Sequence, residues 1–156
     1  MSISLGKAVR AAAVSTIVAF AGMSTPAMPV DTPVDTNAPD LASVRAKVKA
    51  KDFKAAIEEL TPMLQTHQHA DVYNLLGFSY RKSGDYKQAA TFYAKALDFD
   101  SDHLGALEYQ GEMFVELGQI DRAKANLAKL VILCPAGCEE REDLEKAIAG
   151  AAKPKG

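Results

Sequence analysis

The sequence predicts an all-α chain: three stacked helical hairpins, the first degenerate, with a C-terminal capping helix. Three observations carry this. Apolar and small residues recur at helical spacing in pairs of short segments: Tyr73, Leu76, Gly77 and Tyr80 in one, Ala89, Ala90, Tyr93, Ala96 and Leu97 in the next. Between them Ser83-Gly84-Asp85 reverses the chain, with Gly84 free to take a positive φ and Asp85 placed to cap the following helix. The whole unit then recurs. Gly111 lies as far beyond Gly77 as Ala123 lies beyond Ala89, and Ala56 precedes Ala89 by nearly the same step. With 156 residues, 48% of them hydrophobic, the chain has material for one modest domain, and few residues favour strand patterning.

The segment 1–27 reads as a secretory signal. Lys7 and Arg10 form a positive start, Ala11 to Phe20 is an uncharged apolar run, and Ala19-Phe20-Ala21 and Thr25-Pro26-Ala27 offer small residues for cleavage. A retained membrane anchor is the alternative, but the run is shorter than the ~20 residues a span needs. Residues 28–39 form a disordered Pro-rich linker containing Pro29, Pro33 and Pro39, without periodicity. The folded domain is expected over residues 40–150, and 151–156 form a tail.

Within the domain, Leu41 to Gln68 is a weaker copy of the central Asp71–Asp100 unit. Leu41, Val44 and Val48 mark one helical face, and Lys51-Asp52-Phe53 matches Gly84-Asp85-Tyr86. Arg45 is expected to stand where Gly77 stands, and Pro62 is expected to kink the second helix. His103 to Pro135 is the third copy. Its Gln110 takes the usual apolar place before Gly111, so this amide needs a partner or must stay near the surface. Glu139 to Ala149 closes the domain, with Leu144, Ala147 and Ile148 on one face and acidic residues in the first turn.

The pattern aromatic-x2-Leu-Gly-x2-Tyr at Tyr73 to Tyr80, followed by Ala89, Tyr93 and Ala96, resembles the tetratricopeptide repeat family, of the small exported bacterial type. The resemblance covers roughly residues 40–137 and is strongest in the second and third copies. It implies an α-α superhelix whose concave groove, lined by the first helix of each hairpin, binds a peptide or partner protein. The implied groove residues are Asp71, Asn74, Phe78, Arg81 and Lys82 in the second copy and Glu108, Glu112, Val115 and Glu116 in the third. Phe78 is either an exposed anchor for a partner or covered by the neighbouring repeat. The family's carboxylate-binding pattern does not carry over cleanly, because Leu75 stands where that pattern has asparagine. A basic first copy (Arg45, Lys47, Lys49, Lys51, Lys54) faces an acidic third (Glu108, Glu112, Glu116), which is either plain solvated charge or a means of orienting a dipolar partner.

No Gly-rich phosphate loop, HExxH or nucleophile elbow occurs, so no enzyme activity and no cofactor are expected. A net charge of −2 gives no electrostatic footprint for nucleic acid. His67-Gln68-His69 lies between the first two copies and, without a third ligand nearby in sequence, reads as solvated loop histidines rather than a metal site. Cys134 and Cys138 flank Pro-Ala-Gly where the third copy meets the last helix. An exported location favours a structural disulfide there, with a thiolate metal site or a redox pair as alternatives. The function expected is a non-catalytic, periplasmic or secreted interaction module with no stable membrane span after signal cleavage. The alternative is a periplasmic metal-handling or redox accessory protein built on Cys134 and Cys138.

Overall fold

The computed structural model describes residues 39–151. The expected signal over 1–27 and all but the last residue of the 28–39 linker lie outside the described residues, as does the tail beyond Ala151. The described residues form seven helices and no strand: α1 (Ala42–Lys49), α2 (Phe53–Met63), α3 (Ala70–Lys82), α4 (Tyr86–Phe99), α5 (Leu104–Glu116), α6 (Ile120–Leu133) and α7 (Glu139–Ala151). Successive helices pack as hairpins α1–α2, α3–α4 and α5–α6. Each hairpin leans on the next through α2 against α3 and α4 against α5, and α7 packs on both α5 and α6. This is the α-α superhelix with its cap, and no helix among the described residues is long and apolar enough to cross a membrane.

Local chemistry sets the hairpin turns. Gly84 and Gly118 sit at φ +87° and +72°, a conformation that costs glycine little. In the first hairpin Lys51 holds the same turn at φ +60°, where an L side chain is strained. Asp52 and Asp85 then cap α2 and α4 by accepting from the amides of Ala55 (3.1 Å) and Gln88 (3.0 Å). Gln119, at the matching place before α6, makes no such bond.

The inter-helix contacts are a matter of shared volume. A Cβ on Gly77 would lie 2.6 Å from the Tyr93 ring, so the glycine is what lets α4 press a fully buried tyrosine against α3. The step from Gly84 back to its matching turn residue Lys51, applied to Gly77, reaches Val44, not Arg45. Val44 is fully buried in one cluster with Leu60, which stands to Tyr93 as Val44 stands to Gly77, whereas Arg45 is exposed. A larger residue on α1 is thus matched by a smaller one on α2. In the third hairpin a Cβ on Gly111 would lie 2.5 Å from Leu144, so α7 fills the space above this glycine.

Pro62 falls in the last turn of α2 rather than bending a longer helix. The amides of Leu64, Gln65 and Thr66 bond back to the carbonyls of Thr61, Pro62 and Met63, tightening the end of the helix. Gln110 finds its partner in Asn126, whose Nδ2 donates both to Gln110 Oε1 (3.0 Å) and to the Leu107 carbonyl (2.9 Å). The last helix runs to Ala151, past its expected end at Ala149, and buries Leu144 and Leu130 completely. It leaves Val131 and Ile132 of α6 exposed.

Candidate functional site

The face made by α3, α5 and α7 is organised by one register. Leu41, Asn74 and Glu108 occupy matching places in the three hairpins and are 5%, 6% and 7% exposed. Burial is constant along the stack while the side chain changes from hydrocarbon to amide to carboxylic acid. Leu41 belongs to the apolar cluster of the first hairpin. Asn74 keeps its Oδ1 buried and without a hydrogen bond, and its Nδ2 lies 3.2 Å from where a Cβ on Gly105 of α5 would stand. Glu108 sits among acids. Burial, then the charges of Glu112, Asp143 and Glu140, push its carboxyl up to about 8, and Arg81 offsets part of this.

Arg81 joins the second hairpin to the third. Its side chain is 1% exposed, donating to the Tyr109 carbonyl (2.7 Å) and to Glu112 Oε2 (2.5 Å), with Glu116 Oε1 at 3.6 Å. An arginine expected to face a groove is therefore an internal clamp, because its length lets the guanidinium fold onto α5 and find carboxylates there. Phe78, one turn earlier, is half-buried between Phe53 of α2 (ring centroids 6.2 Å apart) and Tyr109 of α5 (4.8 Å). The neighbouring repeats hold it in an aromatic bridge, and the Lys82 ammonium lies 5.3 Å from its ring.

The other expected groove residues divide. Glu112 is half-buried and Glu116 exposed beside Arg81, and Lys82 is exposed. Val115 packs against the core instead of facing solvent. Asp71 stands apart at the start of α3, where its Oδ1 meets His103 Nε2 at 3.1 Å and Arg45 at 3.8 Å. The His103 bond, with the nearby charges of His103, Arg45 and His69, holds its carboxyl below the usual range, although burial opposes the shift.

The basic and acidic surfaces of the first and third copies are partly consumed locally. Lys47 pairs with Glu59, Lys54 with Glu58 and Arg45 with Asp71. His69, expected as a solvated loop residue, instead caps α3, its Nδ1 accepting from Asp71 N (3.2 Å), and His103 caps α5 in the same way, its Nδ1 accepting from Ala106 N (3.1 Å). Among the described residues no three histidine, cysteine or acidic side chains are placed to hold a metal ion. Cys134 and Cys138 have their sulfurs at disulfide distance, with Cα atoms 5.8 Å apart, spanning the bend between α6 and α7. Arg141 of α7 adds a bond to the Cys134 carbonyl across the same bend (3.3 Å).

Sequence reasoning missed Tyr109, Glu140 and Asp143. The signal for Tyr109 was its place in the third copy, which matches that of Leu75 in the second. That for Glu140 and Asp143 was the capping helix itself, which packs on α5 and α6 as α5 packs on α3 and α4.

Comparison with protein-family models gives two matches, both described as tetratricopeptide repeat, over residues 70–103 and 106–136. They coincide with the second and third hairpins. No curated protein matches the chain. Tetratricopeptide repeats point to a protein–protein interaction module, and proteins built from them are generally non-catalytic scaffolds. Repeat period, helical hairpins and family matches agree, and the chain is a tetratricopeptide repeat protein over residues 70–136.

Proposed function

We propose that this chain is an exported, non-catalytic adaptor that binds a peptide or partner protein along the face of α3, α5 and α7. The observation that carries the reading is the register of Leu41, Asn74 and Glu108. Sealing the Asn74 amide oxygen without a partner, and holding the Glu108 carboxyl largely out of water among other acids, costs free energy that the leucine at the same place in the first hairpin avoids. Polar groups kept under that penalty belong to a surface that is completed by something else. Export, to the periplasm or out of the cell, is supported by Lys7, Arg10 and the uncharged run of residues 11–20.

Photocrosslinking tests the face. A photoreactive residue replacing Lys82 or Glu116, both exposed on this side, is expected to trap a partner in the native envelope fraction; the same residue replacing Lys124 of α6 is not. Equal trapping at all three positions, or none at Lys82 and Glu116, rejects the face. Phe78→Ala is a poor probe, since Phe78 bridges Phe53 and Tyr109 and its loss weakens the stack itself.

A further inference from the structure

Two acceptors of the α3–α5–α7 face lack a protein donor: Asn74 Oδ1, which is sealed, and the Glu108 carboxyl, which solvent still reaches. Glu108 is 7% exposed, and among the described residues no side chain donates a hydrogen bond to its carboxyl. Asn74 Oδ1, one register back on α3, is buried and equally unpartnered. The Asn74 amide lies against Gly105, one helical turn before Glu108, so the two acceptors belong to the same stretch of the face. Around them stand Glu112, Asp143 and Glu140, and every one of these raises the cost of ionising Glu108.

We propose that this face seats a lysine or arginine side chain of a basic peptide segment, with Glu108 accepting from the incoming cation, Glu112, Glu140 and Asp143 supplying the surrounding negative charge, and the Asn74 amide packed behind the seat against the start of α5. The proposal rests on the adaptor reading above and names the chemistry of the partner. An acceptor without a donor, set among carboxylates, calls for a group that only donates, and an ammonium or guanidinium has donors and no acceptor. The molecule already makes this pairing once, since Arg81 is held by Glu112 and Glu116 beside the same site. A cation there also reverses the balance at Glu108. Empty, the carboxyl holds its proton to about pH 8 because of burial and its acidic neighbours. Occupied, it faces an opposite charge and ionises, so binding releases a proton and tightens as pH rises from neutrality. The charged groups acting on Glu108 are Glu112 on its own helix, Asp143 and Glu140 on α7 and Arg81 on α3; α6 turns the neutral Asn126 toward α5.

The test uses the full chain and a short fluorescein-labelled, C-amidated peptide of alternating glycine and lysine. A glutamate counterpart and free spermine serve as competitors. The lysine peptide is expected to bind about tenfold more tightly at pH 8.5 than at pH 6.5, and less tightly in high salt. Glu108→Gln should weaken it about tenfold at pH 8.5 and flatten the pH profile. Glu58→Gln on α2 should change nothing. A urea midpoint for Glu108→Gln no lower than the parent's confirms that the variant folds.

The proposal is overturned if the lysine peptide does not bind, if Glu108→Gln binds it within twofold of the parent, or if the glutamate peptide binds as well. Spermine binding as tightly as the peptide replaces the peptide partner with a free polyamine and also overturns it. The photocrosslinks at Lys82 and Glu116 need no lysine. If they form while Glu108→Gln is silent, the adaptor stands and the cation seat falls; if they fail, the adaptor itself falls.

Discussion

The first and third hairpins lie at opposite ends of the stack and solve the same packing problem with opposite chemistry. At the first, Leu41, Val44 and Leu60 make an apolar interior, and the charges sit outside in pairs such as Lys47 with Glu59. At the third, the matching places hold Glu108, Gly111 and Leu127. The interior contains an acid and the Gln110–Asn126 pair, and Leu144 of α7 makes up the missing volume over Gly111. Repeat geometry is thus held by summed volume, which several residue combinations satisfy, and the chemistry at one register is free to change from hairpin to hairpin. The change grows along the stack, from Leu41 through Asn74 to Glu108, toward the end that carries the proposed partner face.

Exchanging residues between the ends tests this, and the largest effect is expected at the volume contact. Gly111→Val places the residue of the first hairpin into the third. Its Cβ would press on Leu144 at 2.5 Å, and overpacking of this kind costs about 3 kcal/mol. Leu144→Ala alone costs about as much by leaving a cavity. If summed volume is what matters, the double variant is more stable in urea than the two single losses predict. Strict additivity would break the comparison.

An intermediate effect is expected at the buried register. Folded Glu108 holds its proton more tightly than it does unfolded. Its contribution is therefore fully favourable below the ordinary carboxylate range and is lost as pH climbs through about 8. Glu108→Leu, which installs the residue of the first hairpin, should stabilise the protein by about 2 kcal/mol at pH 9 and far less at pH 5, allowing for the solvent that still reaches the carboxyl. The converse Leu41→Glu should destabilise, and more at pH 9 than at pH 5. Paired denaturation curves at the two pH values show whether Glu108 contributes in the direction stated.

The smallest effect belongs to the turns. Lys51→Gly relieves a side chain at φ +60° and should gain about 0.5–1 kcal/mol, while Gly118→Ala, at φ +72°, should lose a similar amount. Equal and small changes in the urea midpoint at both sites would show that the two turns are energetically alike despite their residues.

The helical hairpins were legible because their signals are local. Gly84-Asp85, Gly118 and the recurring alanines fix turns and close contacts within a few residues of themselves. The first hairpin was read one residue out of step, with Arg45 in place of Val44, because its helical face is short and valine does not announce a close approach as glycine does. The exposures on the candidate face were not legible in the sequence. Arg81, Asn74 and Glu108 are buried and Phe78 and Val115 half-buried because neighbouring helices pack alongside, which the pattern of a single hairpin does not reveal. The caps at His69 and His103 escaped notice because histidine is an uncommon N-cap.

Helix α7 has a consequence for how such a chain can change over generations. It occupies the place where a fourth hairpin would begin, and its outward residues include Glu139, Glu142 and Lys146, all exposed. A duplicated hairpin appended after Ala151 would meet that charged surface and find no apolar ridge to stack on. Lengthening by gene duplication therefore has to enter upstream of Cys134, between existing hairpins. An insertion between the second and third hairpins would separate Arg81 from Glu112 and carry Glu108 away from Asn74, unless the inserted copy brought its own equivalents, whereas one between the first and second hairpins would leave both pairs together. The cap therefore closes the C-terminal side of the stack to a further hairpin for as long as its outer face stays charged.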